Sequence, residues 1–222
     1  ISDGDAIKLT PGLATVISSI YVYLPNASII DFSKNGFVEQ TIQVASVILD
    51  TIPPVIANYS VDLDIGTVTL QFSEPVVSQT FNVAMLTLYK TPSNPGIAFD
   101  SSVTATVLNS SIIVINLSSA NLNGIKFTLN ATNTTYLTIS AGAVVDLAGN
   151  SIAVISLPGL PSFTLYPDQT RPQLHNYTFD LNAGVVALTF NEVVDVSTFN
   201  GTAFTLIDSA NGLQSVRLTG AT

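Results

Sequence analysis

An all-β fold, built as tandem antiparallel two-sheet sandwiches with one complete domain flanked by two half domains, follows from three features of this sequence. Short segments alternate apolar and polar residues, turn-forming residues punctuate them, and the whole pattern recurs along the chain. The recurrence is the strongest of the three. Asn58-Tyr59-Ser60-Val61-Asp62-Leu63 returns as Asn176-Tyr177-Thr178-Phe179-Asp180-Leu181, a spacing of 118, and the match continues without a gap through Thr87-Leu88 and Thr205-Leu206.

The elements can be justified in order through the complete unit. Residues 55–61 form a first strand. Asp62-Leu63-Asp64-Ile65-Gly66 turns the chain, because Asp tolerates turn geometry and Gly supplies positive φ. In residues 67–73 Val68, Leu70 and Phe72 share one face and polar residues the other, the signature of a half-buried strand. Residues 78–82 read as a helical turn, and strands follow at 84–89, 102–108 and 111–117. A second helical turn is expected at 118–122, then strands at 125–130 and 136–140. Asp146-Leu147-Ala148-Gly149-Asn150 forms a tight turn, followed by strands at 152–156 and 162–166. No long helix is predicted. Seven to nine short strands per unit describe an antiparallel two-sheet sandwich.

The other half of the unit repeats as well. Ile7-Lys8-Leu9-Thr10 matches Ile125-Lys126-Phe127-Thr128 at 118, and Asp31-Phe32-Ser33-Lys34-Asn35 matches Asp146-Leu147-Ala148-Gly149-Asn150 at 115, with a three-residue indel between. Residues 1–49 are therefore the C-terminal half of a repeat, 50–167 a complete repeat, and 168–222 the N-terminal half of another. The second unit lacks the Pro of the first at Asn191-Glu192-Val193, which puts its local bulge in question. Thr222 stops near the equivalent of Asn109 and Ile1 begins near that of Ser119, so the strand equivalent to 111–117 is expected to be missing from the split unit. The opening Ile1-Ser2-Asp3, without Met or a signal peptide, is expected of a processed or excised piece.

Phe72-Ser73-Glu74-Pro75-Val76 with Thr80-Phe81-Asn82, the segment Val144-Val145-Asp146-Leu147-Ala148-Gly149-Asn150, and the unit-opening Asp50-Thr51-Ile52-Pro53-Pro54 together resemble the Ig-like repeats of S-layer and large cell-surface proteins, the SbsA-like Ig-like domain. The resemblance covers the whole chain. It implies a non-catalytic spacer, adhesive or filament-forming role at the cell surface.

Composition narrows the function further. Six Lys plus Arg against 15 Asp plus Glu give a formal charge of -9, with no basic stripe for nucleic acid or an anionic membrane surface. No cysteine means no disulfide, zinc ribbon or thiol catalysis. No apolar run reaches a membrane span, since Asp50, Pro53 and Pro54 interrupt the longest candidate. Only 9% of residues are charged while 47% are hydrophobic and mean hydropathy is +0.49. Such a surface needs another source of solubility.

Asn-x-Ser/Thr triplets supply a candidate. They stand at Asn26, Asn58, Asn109, Asn116, Asn130, Asn133, Asn176 and Asn200, about twice the roughly three or four expected from composition. Asn58 and Asn176 are repeat-equivalent, and Asn116 lies on the face opposite Ile113, Ile115 and Leu117, where a sugar would project into water. A Ser/Thr/Asn-rich β protein also makes such triplets by composition alone. Covalent N-linked glycans are the expected modification, and no cofactor is expected.

Acidic residues recur in pairs: Asp50 and Asp168, Asp62 and Asp180, Glu74 and Glu192, Asp31 and Asp146. Calcium at the repeat boundary would need six to eight converging oxygens, and isolated carboxylates fit Asx-turns and caps better. No metal site is assigned, with calcium the weaker alternative. His175 is the only imidazole and its repeat equivalent is Ala57, so no catalytic residue is assigned and no enzyme is expected. The seven tyrosines could stack on sugars, but without Trp they suit packing better.

The two half domains are too open-edged to stand alone. Either they pair within one chain, or the front half of one subunit is completed by the back half of the next, a contact that propagates. The expected function is thus a structural subunit of a glycosylated extracellular filament, assembled head to tail through domain halves or β-strand complementation with other copies of itself. A cell-surface adhesin or carbohydrate-binding repeat module, with a carbohydrate or surface ligand, is the alternative.

Overall fold

A computed structural model describes residues 3–10, 20–129, 134–209, 212 and 214–219. They form two compact units, Ile1–Gln169 and Thr170–Thr222. The fold is all-β and sandwich-type, with two short α-helices among the described residues.

Within the first unit, helix α1 (Asp3–Leu9) precedes the hairpin strands β1 (Tyr21–Leu24) and β2 (Gln40–Gln43). A complete sandwich follows: β3 (Ile56–Asp62), β4 (Thr67–Phe72), β5 (Leu86–Tyr89), β6 (Ile97–Ala98), β7 (Thr104–Asn109), β8 (Ile112–Asn116), helix α2 (Ser119–Leu129), β9 (Tyr136–Ile139), β10 (Ile155–Pro161) and β11 (Thr164–Tyr166). One sheet has the order β11-β3-β4-β8-β7 and the other β10-β9-β5-β6. All pairings are antiparallel except β11 on β3.

Alternation builds the core between these sheets. Tyr59 and Val61 of β3, Val68 and Leu70 of β4, Ile113 and Ile115 of β8, and Leu86, Leu88 and Leu137 opposite are all buried. The Asp62 to Gly66 turn forms as predicted: the Asp62 carboxylate accepts from the Asp64 and Ile65 amides at 2.9 and 3.0 Å, and Gly66 takes φ +73°. Leu122 of α2 packs over that glycine, so an added Cβ would lie 3.0 Å from its Cδ2.

Two expectations are corrected and one strand is added. Residues 125–130 are not a strand; from Ser119 to Leu129 the chain is helical. Ser118 caps this helix, its Oγ accepting from the Asn121 amide at 3.1 Å. Ile125 is buried and Phe127 exposed, although a period of two would put them on one face. The strand expected at 152–156 begins at Ile155 and runs to Pro161, carrying Pro158 and Gly159 at an irregularity in its pairing with β9, residues that read as loop. The two-residue strand β6 was not predicted.

The second unit holds two hairpins: β12 (Leu174–Asp180) with β13 (Val185–Phe190), and β14 (Thr205–Ile207) with β15 (Ser215–Arg217). These reproduce the first half of the complete sandwich. Tyr177 faces Leu188 as Tyr59 faces Leu70, and the 3-10 turns Ser78–Thr80 and Val83–Met85 return as Val196–Thr198 and Gly201–Ala203. Loss of the Pro after Glu192 does not disturb the strand end, since the Asn191 amide bonds the Gln173 carbonyl as the Ser73 amide bonds that of Val55. Leu206 pairs with Val216 where Leu88 pairs with Ile97, so the spacing lengthens to 119 here. At that spacing Thr222 corresponds to Val103 rather than to Asn109.

The hairpin β1–β2 reproduces the other half. Leu24 faces Gln40 as Ile139 faces Ile155, and the isolated bridge Ile30 to Gly36 matches that of Val145 to Ser151. Even the left-handed positions coincide: Ala27 at φ 56° and Lys34 at φ 71° stand where the complete repeat has Gly142 and Gly149.

Candidate functional site

Two features stand out: apolar faces left open on the half repeats, and a charged junction where one repeat meets the next. The faces are read by comparing equivalent positions. Tyr177, Phe179 and Leu181 are between 48% and 79% exposed, while Tyr59, Val61 and Leu63 are at 6% or less. On the other half, Ile7, Val22 and Ile29 are between 47% and 61% exposed, while Ile125, Leu137 and Val144 are fully buried. The residue types and backbone pairings are alike. In the complete sandwich the opposing sheet covers these positions. Exposed contiguous apolar residues of this kind mark interaction surfaces.

Tyr59 shows what such a residue does when covered. Its hydroxyl donates to the Thr135 carbonyl at 2.7 Å, and burial pushes its phenol well above the usual range. Tyr177, its equivalent, lies open to water in β12.

The charged junction joins residues that sequence reasoning noted only separately. Lys8 Nζ, at the end of α1, lies 2.5 Å from Asp50 Oδ2 and 2.6 Å from Glu74 Oε2. Lys126 Nζ of α2 lies 2.7 Å from Asp168 Oδ2. Lys8 and Lys126 are 118 apart, as are Asp50 and Asp168, so the helix of one repeat grips the opening residue of the next at both junctions. The Asp50 and Glu74 carboxylates raise the Lys8 ammonium above its ordinary value, and Lys8 in turn holds the Asp50 carboxyl below its own. The shared spacing of a Lys, an Asp and a Glu was the available signal.

Carboxylate oxygens of Asp50, Glu74 and Asp146 come within 4.8 Å of one another. They are engaged by protein groups: Lys8 serves the first two, and Asp146 accepts from the amides of Ala148 and Asn150 at 2.8 Å and from Asn150 Nδ2 at 2.8 Å. Asn150 Nδ2 also donates to the Asp50 carbonyl at 3.1 Å, tying this turn to the repeat boundary. Asp31 repeats the turn with Asn35, whose side-chain amide, followed by its backbone N–H, draws the Asp31 carboxyl below its usual range. Asp180 repeats the Asx-turn of Asp62 with Asn182 and Ala183.

The candidate glycosylation residues are spread over the surface rather than gathered. Asn26, Asn176 and Asn200 are exposed, the last capping Gly201–Ala203 through the Thr202 amide. Asn116 is half-buried, with Nδ2 donating to Thr106 Oγ1 at 3.1 Å. Asn58 is half-buried with a buried Oδ1 that has no hydrogen-bond partner. Asn130, Asn133 and the side chain of Asn109 lie outside the described residues. His175 is exposed on β12.

No family model and no curated protein matches the chain. Among solved structures, a crystal structure of the S-layer protein rSbsC is 16% identical, over 59% of this chain and 16% of that one, with a TM-score of 0.37. The N-terminal part of the bacterial S-layer protein SbsC is 14% identical, over 76% and 38%, at 0.38. Domains 1–6 of surface layer protein SbsC are 15% identical, over 77% and 22%, at 0.37. This chain thus spans well under half the length of each, and likeness at these scores adds nothing to what its own residues say. Among the described residues no helix is long and apolar enough to cross a membrane.

Proposed function

We propose that this chain is a structural component of an extracellular surface assembly, in which Ig-like repeats follow one another head to tail and half repeats are completed by complementary halves of other copies. One observation carries the reading: the apolar positions that the complete repeat buries are open on both half repeats, with the same residue types and strand pairings. Burying about 25 cal/mol per Å² of such surface is the ordinary driving force for association.

N-linked glycans at exposed triplets, Asn26, Asn176 and Asn200 foremost, supply the hydration that a surface poor in charge lacks. The Lys–carboxylate pairs fasten helix α1 to Asp50 and Glu74, and helix α2 to Asp168. Sedimentation velocity of the purified chain over a dilution series tests the proposal. Elongated species growing with concentration are expected, and a single compact monomer at every concentration would refute it.

A further inference from the structure

The Lys8 junction holds, besides an ion pair, the parts of an amide-forming site. Lys8 Nζ donates to Glu74 Oε2 at 2.6 Å. It lies as close to Asp50 Oδ2, at 2.5 Å, inside the usual spacing of about 2.7–2.9 Å for a charge-assisted bond. Yet that oxygen is buried and accepts no hydrogen bond from any described residue. Oδ1 of the same carboxyl accepts from the Ile52 amide at 3.1 Å. Carboxylate oxygens of Glu74 and Asp50 come within 4.8 Å of each other, and both side chains are largely withdrawn from water, at 11% and 20% exposed. A nucleophilic nitrogen, a carboxyl carbon and a second carboxylate within reach of both thus share one site.

We propose that Lys8 and Asp50 condense to an amide within the chain, a lysine-to-aspartate side-chain cross-link, with Glu74 as the proton carrier. Glu74 Oε2 takes a proton from Nζ, the freed lone pair attacks Asp50 Cγ, and a C–N bond forms. Negative charge gathers on Oδ1, where the Ile52 N–H already points. Two protons pass in turn from Nζ through Glu74 to Oδ2, the Cγ–Oδ2 bond breaks, and Oδ2 leaves as water. Ammonium plus carboxylate becomes amide plus water, so charge balances and no oxidant or reductant takes part.

Asp50 and Glu74 raise the Lys8 ammonium and Lys8 lowers the Asp50 carboxyl, so the freshly folded chain holds the ion pair and the bond closes from it with time. The fold offsets the cost of leaving the ionised state by fixing the reacting groups. Asn150 Nδ2 holds the Asp50 carbonyl at 3.1 Å. The backbone on either side of Glu74 is tied by the Ser73 amide to the Val55 carbonyl at 2.9 Å and by the bridge of Val76 to Asp146. Groups held in this way react with effective molarities of about 10⁵–10⁸ M. Lys126, Asp168 and Glu192 stand 118 residues after the three, and Lys126 Nζ lies 2.7 Å from Asp168 Oδ2, so the pair recurs. In a chain without cysteine such a bond does the work of a disulfide, here joining α1 to the residue that opens the complete repeat. It lies within one chain and is independent of assembly.

Intact-mass spectrometry and peptide mapping of the full chain, treated with peptide amidase and incubated at neutral pH, test the cross-link. The wild-type chain is expected to be lighter than its unmodified mass by one water for each bond. Trypsin should leave residues 1–34, uncut after Lys8, joined to residues 35–90 as one branched peptide. Lys8→Arg keeps a cation between the carboxylates but cannot form the amide, and its peptides should stay separate. Glu74→Gln keeps the Lys8 and Asp50 pair without the proton carrier and should slow the joining about a hundredfold or more. A folded wild-type chain that keeps its full mass and yields residues 35–90 as a separate peptide would overturn the cross-link. So would a water lost within a single peptide, as in a succinimide. Joining at the wild-type rate in Glu74→Gln overturns the role given to Glu74.

Discussion

Replacing Tyr177 by Ala separates a surface residue from a joint residue, because the same side chain exists twice in the molecule in two states. Tyr59 is 1% exposed and Tyr177 56% exposed, so completing the half repeat covers about half of a tyrosine side chain of roughly 200 Å². About 110 Å² at about 25 cal/mol per Å² is about 3 kcal/mol, or a hundredfold in the dissociation constant of the joint. The melting temperature of the dilute, unassociated chain should move little, since the side chain is already in water there. Tyr59→Ala, by contrast, empties a core site and should destabilise the folded chain by about 3–5 kcal/mol. The assay is sedimentation equilibrium paired with thermal melts at high dilution. A Tyr177→Ala chain that associates as tightly as wild type, or that loses as much stability as Tyr59→Ala, would refute the assignment of this face as a joint.

Peptide amidase treatment of the native protein should lower its mass, with site mapping placing glycans on Asn26, Asn176 and Asn200; unchanged mass rejects glycosylation. Lys8→Met should cost about 1 kcal/mol at neutral pH, because it leaves Asp50 and Glu74 close together without their cation. The contribution of Asp50, whose carboxyl is depressed, is complete above about pH 4 and is lost as pH falls through its lowered value. That of Lys8, whose ammonium is raised, is complete below about pH 10 and is lost as pH rises through its raised value. Melts against pH should therefore show a wild-type plateau between these limits and a shallower acid limb in Lys8→Met. Gly149→Ala should cost about 1 kcal/mol in a chemical melt, from its φ of +90° alone, as an added Cβ would meet nothing within 4 Å.

The strands were legible wherever one face is buried and the other wet. β4 follows that rule, with apolar residues at every second position, whereas β8 is an apolar run from Ile112 to Ile115 in which Ile113 and Ile115 are the fully buried ones. Helix α2 was not legible because Ile125, Phe127 and Leu129 alternate with polar residues as a strand would, while Ser118 captures the Asn121 amide and starts a helix instead. β10 was misplaced because Pro158 and Gly159 interrupt its pattern, and they are accommodated at an irregularity in the pairing with β9. The open faces were foreshadowed by the phase of the repeat, since Tyr177 and Tyr59 are the same residue in the same motif. The junction was not, for a Lys on a helix and two acids on distant loops are brought together only by folding, and recurrence at 118 shows its meaning once the contact is seen.

Electron microscopy of the associated chain tests the central claim most directly. Each copy would contribute one complete and one shared sandwich, so the account predicts unbranched rods with a regular axial repeat. Discrete particles of one chain each, with no axial repeat at any concentration, would contradict it.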